Sequence, residues 1–220
     1  MKKKQFIVIG LGRFGRSVAI TLSKLGHDVL AVDIDESKVQ EISEEVTHAV
    51  QIDAMNEKIL LEVGAKNFDI GIVAIGEDIQ ANIFVSITLK QLGINYVIAK
   101  AQNEKHANIL KKIGVDKVVL PEHDMGVRLA YNLTSTSILD VIELSPEYNV
   151  VEIKAPDLWH NKNLIELNLR AKFKINILAI KSELGKINIS PAGQDIIKLN
   201  DILIAVGEKE DLDKMINHFI

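Results

Sequence analysis

Residues 6–17, Phe-Ile-Val-Ile-Gly-Leu-Gly-Arg-Phe-Gly-Arg-Ser, decide how the rest of the chain is read. An apolar run of strand type ends at Gly10, a glycine turn follows, and helical spacing starts at once. The glycines at 10, 12 and 15 form G-x-G-x-x-G between strand and helix, the context a dinucleotide fingerprint requires. One glycine serves the tight turn, the next lets backbone approach a phosphate, and the third packs helix closely on strand. The helix that opens there aims free N–H groups and its positive dipole end at whatever anion sits in the turn. A nucleotide site is expected, with Gly10, Gly12, Arg13, Phe14 and Gly15 as its binding residues.

Outward from this turn the chain keeps a regular rhythm. Phe6–Ile9, Val29–Val32, Ala49–Ile52, Ile70–Ile75, Tyr96–Ala99 and Val118–Leu120 read as six strands. Between them lie helical patterns: Phe14, Val18, Leu22 and Leu25; Val39 and Ile42 behind an Asp35 cap; Ile59, Leu60 and Val63; Ile79, Ile83 and Ile87; Ile109, Leu110 and Ile113. Gly26, Gly64, Gly93 and Gly114 close four of these helices. Strands alternating with helices mean βαβ crossovers, so the fold class is α/β, a Rossmann-like doubly wound parallel sheet.

Met125–Leu139 continues as a longer helix, with Thr134-Ser135-Thr136-Ser137 read as its frayed or bent end. Around Leu144–Asn149 the rhythm changes and Ser145-Pro146-Glu147 supplies turn chemistry. Beyond it, Val150–Lys154, Ile175–Ile180, Lys186–Ile189 and Ile202–Val206 read as strands, Leu164–Leu169 as a short helix, and Leu212, Met215, Ile216 and Phe219 as a last helix. The boundary is therefore drawn at 143/144, giving a nucleotide-binding domain over 1–143 and a small α+β C-terminal domain over 144–220. So short a unit has a thin core and gains stability by pairing with a copy of itself. A dimer interface is expected there.

The totals exclude several classes. The 220 residues are 47% hydrophobic and 25% charged with a net charge of −4, and no basic face stands out for nucleic acid. Lys2-Lys3-Lys4 is not read as a signal peptide, because only Phe6–Ile9 follow before glycine breaks the run. No apolar stretch approaches the ~20 residues of a membrane helix, so a cytoplasmic protein is expected. Without cysteine, disulfides and thiolate chemistry are excluded. The six histidines, at 27, 48, 106, 123, 160 and 218, show no metal-ligand spacing.

Five charged residues besides the glycines bear on the ligand. Asp33 ends the second strand, 21 residues after Gly12, where an acid accepts hydrogen bonds from a ribose diol; the alternative is a helix cap or an exposed turn residue. Asp53 ends the third strand, and either reaches an adenine edge or caps the next helix. Arg13 lies inside the turn, and a guanidinium there suits the extra phosphate charge of ATP, unless it simply faces solvent. Lys100, after the fifth strand, is a weaker candidate for the same charge. Glu122, in Pro121-Glu122-His123-Asp124, is either a helix-capping acid or an oxygen ligand for a divalent cation. No acid or base is poised in 144–220 for hydride transfer, which argues against a small NAD-dependent oxidoreductase.

In combination, Ile7–Ser17, Val29–Asp33, Val73–Gly76, Lys100–Asn103, Pro121–Gly126, Asn168–Lys172 and Ile177–Lys181 closely resemble the regulatory subunits of Ktr-type potassium transporters. These are RCK proteins, with a Rossmann-like N-lobe and a C-lobe, and the resemblance covers essentially the whole chain. The related Trk-type regulators usually carry two tandem copies, so the single copy here fits the Ktr form. The resemblance implies a cytosolic homo-octameric ring, built from dimers, beneath a separate membrane subunit that conducts potassium. It implies ATP as activator, with ADP giving a less active ring; NAD or NADH is an alternative ligand. Arg13 then meets the γ-phosphate, Asp33 the ribose, and Glu122 a divalent cation (magnesium or calcium) between neighbouring N-lobes. It further implies cyclic di-AMP at the C-lobe dimer interface, near Leu164, Leu169, Arg170, Asn176, Ile177 and Pro191. An RCK regulator of another potassium channel or antiporter shares all these motifs.

Overall fold

Strand β1 (Gln5–Ile9) is apolar on both faces because both faces are covered. Ile7 and Ile9 enter one core with Leu30, Val32 and Val73, while Phe6 and Val8 enter a second with Val29, Ala31 and Ile72. The computed structural model describes residues 2–134 and 138–219. In chain order, β1 is followed by α1 (Arg13–Lys24), β2 (Asp28–Asp33), α2 (Glu36–Ile42), β3 (His48–Gln51), α3 (Glu57–Glu62) and β4 (Ile70–Val73). Then come α4 (Ile79–Gln91), β5 (Tyr96–Lys100), α5 (Glu104–Lys112) and β6 (Lys117–Val119). All six strands are parallel, in the order β3-β2-β1-β4-β5-β6. The chain reverses its winding between β1 and β4, and the C-terminal ends of those two strands frame the crevice where such sheets bind ligands. The expected doubly wound sheet is what forms, and each strand matches its expected span to within two residues at either end.

Helix α4 forms where its spacing predicts. Its core face is Ala81, Asn82, Val85, Ser86, Thr88 and Leu89, whereas Ile79, Ile83 and Ile87 are only half-buried and Phe84 is exposed. The isoleucines at helical spacing mark a second apolar face. The face packed on the sheet holds small and polar residues, which let α4 approach the strands closely.

The second compact unit starts at Asp124, within α6 (Pro121–Thr134), rather than at residue 144. Strand β7 (Ile138–Glu143) pairs antiparallel with β8 (Tyr148–Lys154), so the Ser145–Glu147 turn closes a hairpin inside this unit. The described part of α6 runs to Thr134, and Ile138 and Leu139, expected to end the helix, belong to β7. Of the residues expected to fray, Ser135, Thr136 and Ser137 lie outside the described residues. The unit continues through α7 (Leu164–Leu167), α8 (Leu169–Phe173), β9 (Asn176–Lys181), β10 (Ile187–Asn188), β11 (Ile202–Glu208) and α9 (Lys209–Phe219). Its five strands run β10-β9-β11-β8-β7, all neighbours antiparallel. Trp159, Leu203, Leu212 and Met215 centre its core, with the Phe219 ring edge-on to Trp159 at 5.0 Å.

Candidate functional site

The glycine turn is shaped by what each position excludes. At Gly10, φ is +95° and an added Cβ would lie 2.8 Å from the backbone of Ala74 and Ile75, at the end of β4. At Gly15 an added Cβ would fall 1.9 Å from the Gly10 carbonyl oxygen, so α1 rests directly on the turn it follows. Gly12 differs from both. Its φ of −62° suits any residue, and a Cβ there would meet no protein atom within 4 Å. Nothing in the fold crowds this position, so the backbone here is open to approach from outside.

The helix above that opening is also unusual within this unit. Asp35, Asn56, Asp78 and Asn103 cap α2, α3, α4 and α5 through their side chains, whereas α1 has no side-chain cap and no acid in its first turn. Its leading N–H groups thus retain the donors and positive dipole end that suit a phosphate.

Asp33 is only 8% exposed. One carboxylate oxygen accepts from the Leu11 N–H at 2.6 Å and the other from the Asp35 N–H at 2.9 Å. It ties the end of β2 to the glycine turn, a positional role the spacing argument does not include; Lys38 stands 4.0 Å away. Asp33→Ala strands two N–H donors and is expected to cost about 2 kcal/mol of stability. Nucleotide affinity should fall at least about tenfold with it. Urea unfolding and calorimetric titration check both, and wild-type values in both would remove Asp33 from the turn.

Asp53 is exposed, and its carboxylate accepts from the Met55 N–H at 2.9 Å. The cap of α3 is Asn56, so the capping alternative for Asp53 is replaced by a turn role one step earlier. Lys100 and Glu122 come together, with Nζ 2.6 Å from Oε1. The Lys100 ammonium beside it, and more weakly the Arg13 guanidinium, hold the Glu122 carboxyl below the usual carboxylate range. Gly10, Arg13, Asp33, Lys100 and Glu122 thus gather at the C-terminal edge of one sheet. The structure adds Asn82 and Gln102. The buried Asn82 amide donates to the carbonyls of Ile75 (2.8 Å) and Lys100 (3.0 Å), fastening the ends of β4 and β5 together; Gln102 donates to the Gly76 carbonyl. A buried asparagine amid the apolar residues of α4 was the available signal.

Within the second unit, Arg170 and Asn176 are exposed, Leu164, Ile177 and Pro191 are half-buried, and Leu169 is buried in the core. Among the described residues no three His, Asp or Glu side chains gather as a metal site, and no helix is long and apolar enough to cross a membrane.

These features define a class: a Rossmann-like parallel sheet followed by a small α+β unit. The TrkA-N domain family matches residues 6–121 and the TrkA-C domain family residues 150–220. The chain belongs to the RCK family of potassium-uptake proteins that carry these two domains, in its Ktr branch. It is 46% identical over 217 residues to the Ktr system potassium uptake protein A of Bacillus subtilis (strain 168), covering 99% of this chain and 97% of that protein. Ktr system potassium uptake protein C of the same organism is 46% identical over 213 residues, covering 96% of each. Among solved structures, the GsuK RCK domain superposes with a TM-score of 0.55 at 25% identity, over 99% of this chain and 47% of that one. The GsuK channel bound to NAD gives a TM-score of 0.55 at 25% identity, over 100% and 39%. This chain spans less than half the length of either GsuK chain.

Proposed function

We propose that this chain is the cytosolic, nucleotide-sensing regulatory subunit of a potassium uptake system and is not an enzyme. One observation carries the reading: the uncapped N-terminus of α1 stands over Gly12, which is open to solvent and flanked by Arg13. Near full-length similarity to the Ktr proteins supplies the context. ATP binds with its phosphates at Gly10–Gly15, its ribose at Asp33 and its γ-phosphate at Arg13. Phe14 and Asp53 flank the nucleotide. ATP and ADP must differ in affinity for two ring shapes, because a ligand that binds both equally shifts nothing.

The ring is a homo-octamer built from dimers, docked on a separate membrane subunit that translocates potassium. Helix α4 carries half-buried Ile79 and Ile87 and exposed Phe84 away from its buried face, apolar surface that suits a neighbouring subunit. In the C-terminal unit, exposed Ile165, Leu178 and Ile189 suit a dimer contact. There Arg170 and Asn176 supply polar groups for cyclic di-AMP, with Leu164, Leu169, Ile177 and Pro191 as its apolar walls. A divalent cation, magnesium or calcium, is held at Glu122. This chain provides one carboxylate for it, so phosphate oxygens and a neighbouring subunit complete the shell. The NAD-bound GsuK channel favours NAD(H) as a second reading of the same cleft.

Arg13→Ala tests the reading. It is expected to weaken ATP about tenfold, leaving ADP little changed, as fits loss of one charge-assisted phosphate contact. An unchanged ATP-over-ADP ratio returns Arg13 to a solvated side chain. Light scattering on the same sample should give about eight times the 24.4 kDa chain mass. A monomer contradicts the ring.

A further inference from the structure

His106 lies in the first turn of α5, is 2% exposed, and takes no part in the site described above. Its backbone N–H donates to the Asn103 side-chain oxygen at 3.0 Å, and its ring Nδ1 accepts from the Gln102 N–H at 3.3 Å. This resembles the reciprocal bonding of a capping box, with imidazole where a Glu or Gln side chain usually stands. An Nδ1 that accepts carries no proton, so the ring is neutral with its proton on Nε2, which has no partner among the described residues.

From this turn a run of contacts reaches the glycine turn. The Gln102 side chain donates to the Gly76 carbonyl. Gly76 follows Ala74 and Ile75, whose backbone closes around Gly10. Lys100 Nζ stands over the same Gly76, 3.6 Å from where a Cβ would be.

A second ring proton would make Nδ1 a donor facing a donor, in a buried place and at the positive end of a helix. Helix α4 and strand β6 pack on α5, and neither brings a carboxylate to hold an imidazolium. Their charged side chains are Lys90, paired with Asp116 at 2.9 Å, and the exposed Lys117; Lys100, at the end of β5, is paired with Glu122. The residues three and four away along the chain, Gln102, Asn103, Ile109 and Leu110, are uncharged. Burial holds the His106 imidazole below the usual histidine range.

We propose that neutral His106 fastens the loop after β5, and that its protonation releases Gln102 from Gly76 and weakens nucleotide binding at the glycine turn. The effect on nucleotide rests on the nucleotide reading above. The fastening is complete above the ordinary histidine range and is lost as the pH falls below it, because the folded state holds the neutral ring. Bound nucleotide in turn makes His106 harder to protonate.

Calorimetric titration of ATP into the intact protein, at about pH 8 and about pH 5.5, tests the coupling. His106→Asn keeps an acceptor oxygen near the place of Nδ1 but does not titrate there. Relative to it, wild type should bind ATP about threefold more weakly at the lower pH, a comparison in which the titration of ATP itself cancels. A ratio that does not move with pH overturns the proposal. Gln102→Met, an exposed substitution that cuts the link to Gly76, should lose the same pH dependence. If His106→Asn fails to fold, that variant decides, and a wild-type pH dependence in Gln102→Met overturns the coupling. Without nucleotide, hydrogen exchange over residues 101–106 should be faster in wild type than in His106→Asn at the lower pH and equal at the higher. Equal exchange at both overturns the fastening. If wild-type protein binds no ATP at either pH, the nucleotide reading fails, and hydrogen exchange alone decides whether His106 holds the loop.

Discussion

Gly15→Ala is expected to lower the unfolding free energy by about 3 kcal/mol and to abolish nucleotide binding. The added methyl would sit 1.9 Å from the Gly10 carbonyl oxygen and 3.0 Å from Ala74 Cβ. Neither obstacle is the end of a flexible side chain: one is backbone in the turn, the other a Cβ at the end of β4. Relief requires α1 to lift off β1, which opens the core where Ala19 is buried. The sign is informative, because the same substitution inside an exposed helix stabilises by about 1 kcal/mol. Urea unfolding measures it, and a midpoint at or above wild type would mean that α1 does not rest on the turn.

Gly12→Ser separates stability from binding. A serine hydroxyl at this N-cap can accept from an N–H of the first turn of α1, which stabilises a helix by a few tenths of a kcal/mol relative to glycine. Its side chain meets no protein atom within 4 Å, and the φ of −62° is ordinary for it. Folding stability is therefore expected to hold or rise slightly. Nucleotide affinity is expected to fall about a hundredfold, because the hydroxyl takes both the donor and the space a phosphate would use. Calorimetric titration alongside urea unfolding checks the pair of readouts. Tight nucleotide binding by a stable Gly12→Ser protein would show that no phosphate approaches at this position.

Much of the parallel sheet was legible because its strands are short apolar runs with glycine punctuation. That punctuation is real in the structure: Gly26, Gly64, Gly93 and Gly114 all take φ between +76° and +87°. The boundary between the units was not legible, for a specific reason. Ser145-Pro146-Glu147 is a genuine turn, but a turn signal does not say whether it joins two domains or two strands. Ile138–Glu143 also continues the apolar spacing of α6, and only its pairing with β8 makes it a strand. Helix α4 forms where its isoleucine spacing places it, but which of its faces packs on the sheet was not legible, since the buried face holds Asn82, Ser86 and Thr88.

The candidate site shows the same division. Gly10, Gly12 and Gly15 could be placed by spacing because their roles are local to one turn. Asp33 could be placed at the end of β2, but its bond to the Leu11 N–H depends on how β1 and β2 lie side by side. The Lys100–Glu122 pair depends on β5 next to β6, and Asn82 on α4 against both β4 and β5. None of these three contacts is a sequence neighbour, so no motif encodes them.

Calorimetric titration of ATP, ADP and NADH into the wild-type protein tests the phosphate-reading site most directly. ATP is expected to bind, and to bind more tightly than ADP, because Arg13 and Lys100 supply positive charge beyond the two phosphates that the turn itself can hold. Tight NADH binding with no distinction between ATP and ADP would contradict it.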